Sequence, residues 1–134
     1  HDDYMPRSVT DAITFANEKT CFVALLETVE GVENCEAIAA LDGCDCLWIG
    51  HFDLSNSLGI PGEFENPLFV NAVARIMAAA KANNKSVGRL VGSAEEAKKL
   101  NDEGCDLICY LGDIWLYHNA LRDGLVAVRT TIGS

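Results

Sequence analysis

Polar residues able to do chemistry stand in this sequence directly behind short apolar runs. Glu27 follows Cys21-Phe22-Val23-Ala24-Leu25-Leu26, and Asp53 stands just beyond Cys46-Leu47-Trp48-Ile49-Gly50. Gly92-Ser93 and Gly112-Asp113 hold the same place behind two later runs. Carboxylate oxygens are hard donors suited to Mg2+ or Mn2+, and Mg2+ commonly takes one or two protein carboxylates while water or substrate fills its other positions. A Glu27/Asp53 pair with open positions therefore suits a catalytic metal centre. Spacing alone leaves blander readings open, since a strand-end Glu also serves as a helix-cap partner or a solvated charge. A free histidine titrates near neutrality, so His51 reads either as a pocket acid or base or as a loop histidine contacting backbone. Arg89, inside the third run, reads either as a contact for an anionic substrate facing the pocket or as half of an ion pair on the barrel wall.

The elements that must position these residues alternate regularly. Val9 to Glu18 has helical periodicity, with Ser8 as N-cap and Ile13 and Ala16 on one face. The unbroken run from Cys21 to Leu26 has the pattern of a strand buried on both faces. A helix is expected over Val32 to Leu41, closed by a turn at Asp42-Gly43. A second strand, Cys46 to Ile49, leads into a Ser-, Gly- and Pro-rich loop from His51 to Asn66. A helix from Pro67 to Ala82, a strand from Ser86 to Val91, and a helix capped by Ser93 with Glu96 three residues on follow. A strand from Asp106 to Leu111 and a helix from Ile114 towards Val128 complete the chain. Such alternation implies a parallel sheet. Two α/β architectures fit, a doubly wound sheet or half of a (β/α)8 TIM barrel, and both place function at the C-terminal strand ends. No GxGxxG or P-loop follows any strand, which removes the main sign of a nucleotide-binding sheet.

Composition bounds the partners. The chain has 134 residues, 49% hydrophobic and 22% charged, with a formal net charge of -10. That charge weighs against nucleic acid and anionic membrane as partners. No apolar run approaches the ~20 residues that span a bilayer. The six cysteines, Cys21, Cys35, Cys44, Cys46, Cys105 and Cys109, are expected to be reduced and free of metal, in keeping with a cytoplasmic location. The polar opening His1-Asp2-Asp3 does not read as a signal peptide, and the chain, which starts without Met, reads as a fragment or a processed product.

Two stretches carry a resemblance. Leu26-Glu27-Thr28-Val29-Glu30-Gly31-Val32-Glu33-Asn34 and Trp48-Ile49-Gly50-His51-Phe52-Asp53-Leu54-Ser55-Asn56-Ser57-Leu58-Gly59-Ile60-Pro61-Gly62 closely resemble the HpcH/HpaI aldolases, class II pyruvate-using enzymes of the phosphoenolpyruvate/pyruvate barrel superfamily. Lys85-Ser86-Val87-Gly88 and Asp106-Leu107-Ile108 continue it. The resemblance implies that residues 1–134 form one partial domain, the C-terminal half of a TIM barrel with four βα units. It implies a divalent metal, Mg2+ or Mn2+, on Glu27 and Asp53, and a pyruvate carboxylate held by Phe52 and Asp53. Gly50 would let the backbone approach, and Leu54, Leu58 and Ile60 read either as a collar at the mouth or as packing. The implied reaction is cleavage of a 4-hydroxy-2-oxo acid to pyruvate and an aldehyde. A citrate-lyase-like CoA-thioester lyase and a non-catalytic half-barrel are the alternatives. Leu25 stands where many members carry a substrate-binding Gln, and His51 where many carry Pro. The general base is expected on a preceding half of the barrel, with His1, Asp2 and Asp3 near the pocket mouth. The expected partners are a small oxo acid, a complementary N-terminal half-barrel and further copies of the chain, with Trp115, Leu116 and Leu121 at an interface and His118 facing outward.

Overall fold

The four apolar runs pair side by side into one parallel sheet, in a computed structural model that describes residues 8–133. The expectation for His1, Asp2 and Asp3 lies outside the described residues. In chain order the elements are α1 (Val9–Lys19), β1 (Val23–Leu26), α2 (Val29–Glu33), α3 (Cys35–Ala39), β2 (Cys46–Ile49), α4 (His51–Ser57), α5 (Pro67–Ala82), β3 (Ser86–Val91), α6 (Ala94–Glu103), β4 (Leu107–Tyr110) and α7 (Asp113–Ile132). The strand order is β1-β2-β3-β4, so each strand neighbours the next in sequence. A doubly wound sheet reverses its order at a switch point; this sheet does not.

Strand residues alternate between faces, and register sorts them into rows. Leu26, Ile49, Arg89 and Ile108 share one row, with Ala24, Leu47 and Val87 in the row before it on the same face. This face meets α5 and α6, and together with α2 and α3 it holds the core: Leu26, Leu47, Ile49, Leu54, Ile76 and Val91 are all fully buried. Leu25, Trp48, Gly88 and Leu107 form a row on the opposite face. That face is open at its edges, where Leu25 is 52% and Leu107 40% exposed. The first strand is thus buried on one side only, against the two-sided burial that its unbroken apolar run predicts.

Local chemistry sets the helix ends. Asn66 accepts a hydrogen bond from the N–H of Leu68, and Pro67 opens α5, whose Phe69, Ala72, Ile76, Ala79 and Ala80 are buried. Ser93 accepts from the N–H of Glu96 as expected, while the Glu96 carboxylate reaches one residue further back and accepts from Gly92 N–H at 2.8 Å. The helix expected over residues 32–41 is instead two short helices. The Asn34 side chain donates to the Glu30 carbonyl at 2.8 Å and closes the first of them, as Asn side chains do when they compete with helical backbone. The loop expected from His51 begins as helix α4. Neither α1 nor α7 buries a residue in this chain. No described helix is long and apolar enough to cross a membrane.

Candidate metal and substrate site

Glu27 stands one pleat beyond Leu25, and Gly50 one pleat beyond Trp48, at the C-terminal edge of the open face. The two positions touch. A Cβ built on Gly50 would lie 2.7 Å from the Glu27 Cβ and 2.9 Å from its Oε2. Glycine is required here because the Glu27 side chain occupies the space that any other residue would fill. The carboxylate is therefore held against the entry to α4, half-buried, with Asp53 exposed in that helix's first turn.

Both segments are tied down from behind. Thr28 caps α2 by accepting from Gly31 N–H at 3.0 Å, and Val29 N–H donates to Ser57 Oγ at 3.0 Å, joining the turn after β1 to the last turn of α4. Ser55 is fully buried; its hydroxyl donates to the Phe52 carbonyl at 2.7 Å and accepts from Gly62 N–H at 3.0 Å. Gly59 and Gly62 take the left-handed backbone, with φ of 76° and 78°, that brings the chain back onto Ser55. Serines and glycines of the stretch that signals a loop are the means by which a seven-residue helix is pinned. Ser55 and Ser57 are the positioning residues that sequence reasoning missed, and small hydroxyls in so polar a stretch give no signal of burial.

The open edge of α4 has no side-chain cap. The first N–H groups of a helix lack partners within it; the Leu54 N–H is the first to bond back, to the Gly50 carbonyl at 2.8 Å, so those of His51, Phe52 and Asp53 have no acceptor within α4. Of the two readings of Leu54, Leu58 and Ile60, packing is the one found: Leu54 is fully buried, and Leu58 and Ile60, just beyond α4, pack against the core.

Arg89 belongs to the helix-facing row and so points away from the open face. It is buried, its Nη2 lies 3.6 Å from Glu96 Oε1, and its guanidinium stacks over the Phe64 and Phe69 rings at 5.8 and 5.9 Å. Of its two readings the ion pair is the one found. His51 is also buried, against Phe52 at 4.3 Å and Phe64 at 5.3 Å between ring centroids. Burial, aided by the nearby Arg89 charge, lowers its pKa to about 4, so at neutral pH the ring is uncharged and serves packing. His118 is exposed on α7.

The carboxylates of Glu27 and Asp53 are hard oxygen donors of the type that divalent cations take. Among the described residues no set of three or more His, Cys, Asp or Glu side chains is arranged for a metal ion. An ion on Glu27 and Asp53 would keep most of its positions for water or substrate. The six cysteines form no disulfide; Cys35, Cys44, Cys46 and Cys105 are buried as small hydrophobes.

Residues 3–112 match the HpcH/HpaI aldolase/citrate lyase family. The chain belongs to this family. It is 34% identical over 113 residues to a hydroxypyruvate/pyruvate aldolase of Cupriavidus necator, covering 84% of this chain and 42% of that protein. With a 5-keto-4-deoxy-D-glucarate aldolase of Shigella boydii it shares 28% identity, covering 91% and 48%. The crystal structure of a family protein from Burkholderia cenocepacia superposes with a TM-score of 0.80 at 34% identity, over 89% of this chain and 46% of that one. The chain thus spans less than half the length of these relatives.

Proposed function

We propose that this chain is one arc of a (β/α)8 barrel and carries the metal-binding half of a class II aldolase site. The reaction is the reversible cleavage of a 4-hydroxy-2-oxo acid to pyruvate and an aldehyde. The observation that carries the reading is the Glu27 carboxylate seated against Gly50, inside the stretch shared with aldolases. In this reading Glu27 and Asp53 hold a divalent ion, Mg2+ or Mn2+. When bound, such an ion supplies Lewis-acid stabilisation of negative charge at the keto oxygen. Backbone N–H groups of the α4 first turn, at Phe52 and Asp53, orient the pyruvate carboxylate. Leu25, one pleat below Glu27, and Trp48, one pleat below Gly50, would form an apolar floor beneath the ion.

Cleavage breaks the bond between C3 and C4 of the substrate. The C4 hydroxyl loses its proton as the aldehyde forms, and the electron pair passes into the pyruvate enolate, which is then protonated at C3. His51 is turned into an aromatic cluster and His118 lies out on α7, so the base that takes the hydroxyl proton is assigned to the complementary half-barrel. That half would also cover the open face of the sheet. Further copies of the chain, packed on Trp115, Leu116 and Leu121 of α7, which are 51%, 44% and 49% exposed, would complete an oligomer of a cytoplasmic enzyme.

The family also takes in citrate lyases, and a carbon–carbon lyase acting on a CoA thioester would use the same carboxylates. The aldolase reading is preferred because the Cupriavidus necator and Shigella boydii relatives are named aldolases. The test is release of pyruvate from a 4-hydroxy-2-oxo acid by the full natural protein bearing this sequence. Cleavage should need Mg2+ or Mn2+, stop with EDTA, and vanish in Asp53→Ala. Metal-independent cleavage at the unmodified rate in Asp53→Ala would refute the reading.

A further inference from the structure

The groove between α5 and α6, on the helix side of the sheet, holds two cavities of about 320 and 400 Å3. Val70, Val73, Arg89, Leu100 and Glu103 line both. The larger one reaches the sheet at Ile49, which is fully buried, and runs past Met77 and Cys105. Spaces of this size are typical of small-molecule sites. Arg89 stands in the row that faces the helices, so the groove lies across the sheet from the open face and takes no part in the metal site.

Arg89 is the anomaly of this groove. A guanidinium carries five N–H donors and stays charged. The Arg89 side chain is 10% exposed, its Nε is buried with no hydrogen-bond partner among the described residues, and its Nη2 stops 3.6 Å from Glu96 Oε1, beyond hydrogen-bond length. Glu96 is committed elsewhere, since its other oxygen accepts from Gly92 N–H at 2.8 Å. A buried charge without bonded partners is costly. Burial pulls the Arg89 pKa down, and the nearby Glu96 offsets only part of that. The Phe64 and Phe69 rings lie against the guanidinium, and a stacked guanidinium keeps its N–H edges free for acceptors. The remaining charges, Glu65, Lys99 and Glu103, are exposed at the mouth, where water and salt screen them.

We propose that this groove binds a small apolar monocarboxylate, its carboxylate on the Arg89 guanidinium and its alkyl or aryl body along Val73, Met77 and Leu100. A carboxylate takes two parallel N–H bonds from a guanidinium, and so supplies both the charge and the acceptors that Arg89 lacks. A neutral carbonyl supplies a weaker acceptor and no charge, and acetate leaves the apolar wall unfilled. The proposal assigns a second site and does not depend on the aldolase reading.

Calorimetric titration of the full natural protein with hexanoate, hexanamide and acetate is the test, run in EDTA so that no metal takes the carboxylate. Hexanoate should bind with a Kd of about 1 mM or tighter. Hexanamide and acetate should bind at least ~10-fold more weakly, the scale of one hydrogen bond to a charged group. Arg89→Met puts an unbranched apolar chain in the buried position and should weaken hexanoate by ~10-fold or more. Val73→Phe leaves Arg89 in place, narrows the groove from the half-buried side of α5, and should weaken hexanoate as well; it decides the matter if Arg89→Met does not fold in a thermal melt. Saturating pyruvate should leave hexanoate binding unchanged. Hexanoate that binds more weakly than expected, is matched by hexanamide or acetate, is displaced by pyruvate, or binds either folded variant as tightly as the natural protein would overturn the proposal.

Discussion

Substitution of Gly50 by alanine probes the Glu27 cradle with one added methyl group. The backbone there has φ -79° and ψ 75°, a negative φ that costs alanine nothing special, so the effect is steric rather than conformational. The new methyl would lie 2.7 Å from Glu27 Cβ, 2.9 Å from Oε2 and 3.0 Å from Leu25 Cδ1. Carbon atoms rest at about 3.5–4.0 Å, so Glu27 must retreat by roughly an ångström. Overpacking of this kind costs ~1–3 kcal/mol of stability. The larger effect should fall on the metal. Disturbing the groups that orient a ligand lowers metal affinity by ~10–100-fold, or about 1.4–2.8 kcal/mol. Calorimetric titration with MnCl2 measures this, with thermal unfolding in EDTA reporting the fold separately. Repeating Gly50→Ala in a Glu27→Gln background closes a double-mutant cycle, and the second substitution should then add little. A Gly50→Ala protein that binds Mn2+ with unchanged affinity would show that Glu27 does not hold the ion, or that its cradle does not position it.

Two further outcomes follow from the same geometry. Ser55→Ala leaves the Gly62 N–H without its acceptor in a part-buried site and frees the Phe52 carbonyl, and should cost ~1–3 kcal/mol by urea unfolding; a loss under 0.5 kcal/mol, the scale of a surface substitution, would mean that the pin is not structural. Burial raises the thiol pKa of Cys35 and Cys105 and pushes that of Cys46 up to about 11. Since the thiolate is the nucleophile, these thiols and the equally buried Cys44 should resist iodoacetamide at pH 8 in the native protein, while denatured, unreduced chain should count six free thiols.

The parts of the fold legible in the sequence are those where local chemistry and burial agree. Cys46–Ile49, Pro67–Ala82 and Ser86–Val91 lie within the bounds that periodicity and caps predict, because Asn66-Pro67 starts a helix unambiguously and unbroken apolar runs suit a parallel sheet. Helix α4 was illegible because His51 to Ser57 is locally loop-like, and it is held by the distant Val29 N–H donating to Ser57 Oγ and by Gly62 folding back on Ser55. The two-sided burial expected of β1 fails in this chain because Leu25 faces a side that its own helices do not cover. Glu27 and Asp53 stand out as carboxylates behind apolar runs. That Glu27 needs the missing Cβ of Gly50, 23 residues on, is visible only once the strands are placed side by side.

The most direct test of the shared metal site is a crystal structure of the full natural protein grown with MnCl2, with anomalous diffraction recorded for manganese. One anomalous peak between the Glu27 and Asp53 carboxylates, with oxygen distances of about 2.0–2.2 Å as for hard divalent ions of this size, is the expected result. A peak elsewhere, or a saturated crystal with no manganese between these two carboxylates, would contradict it.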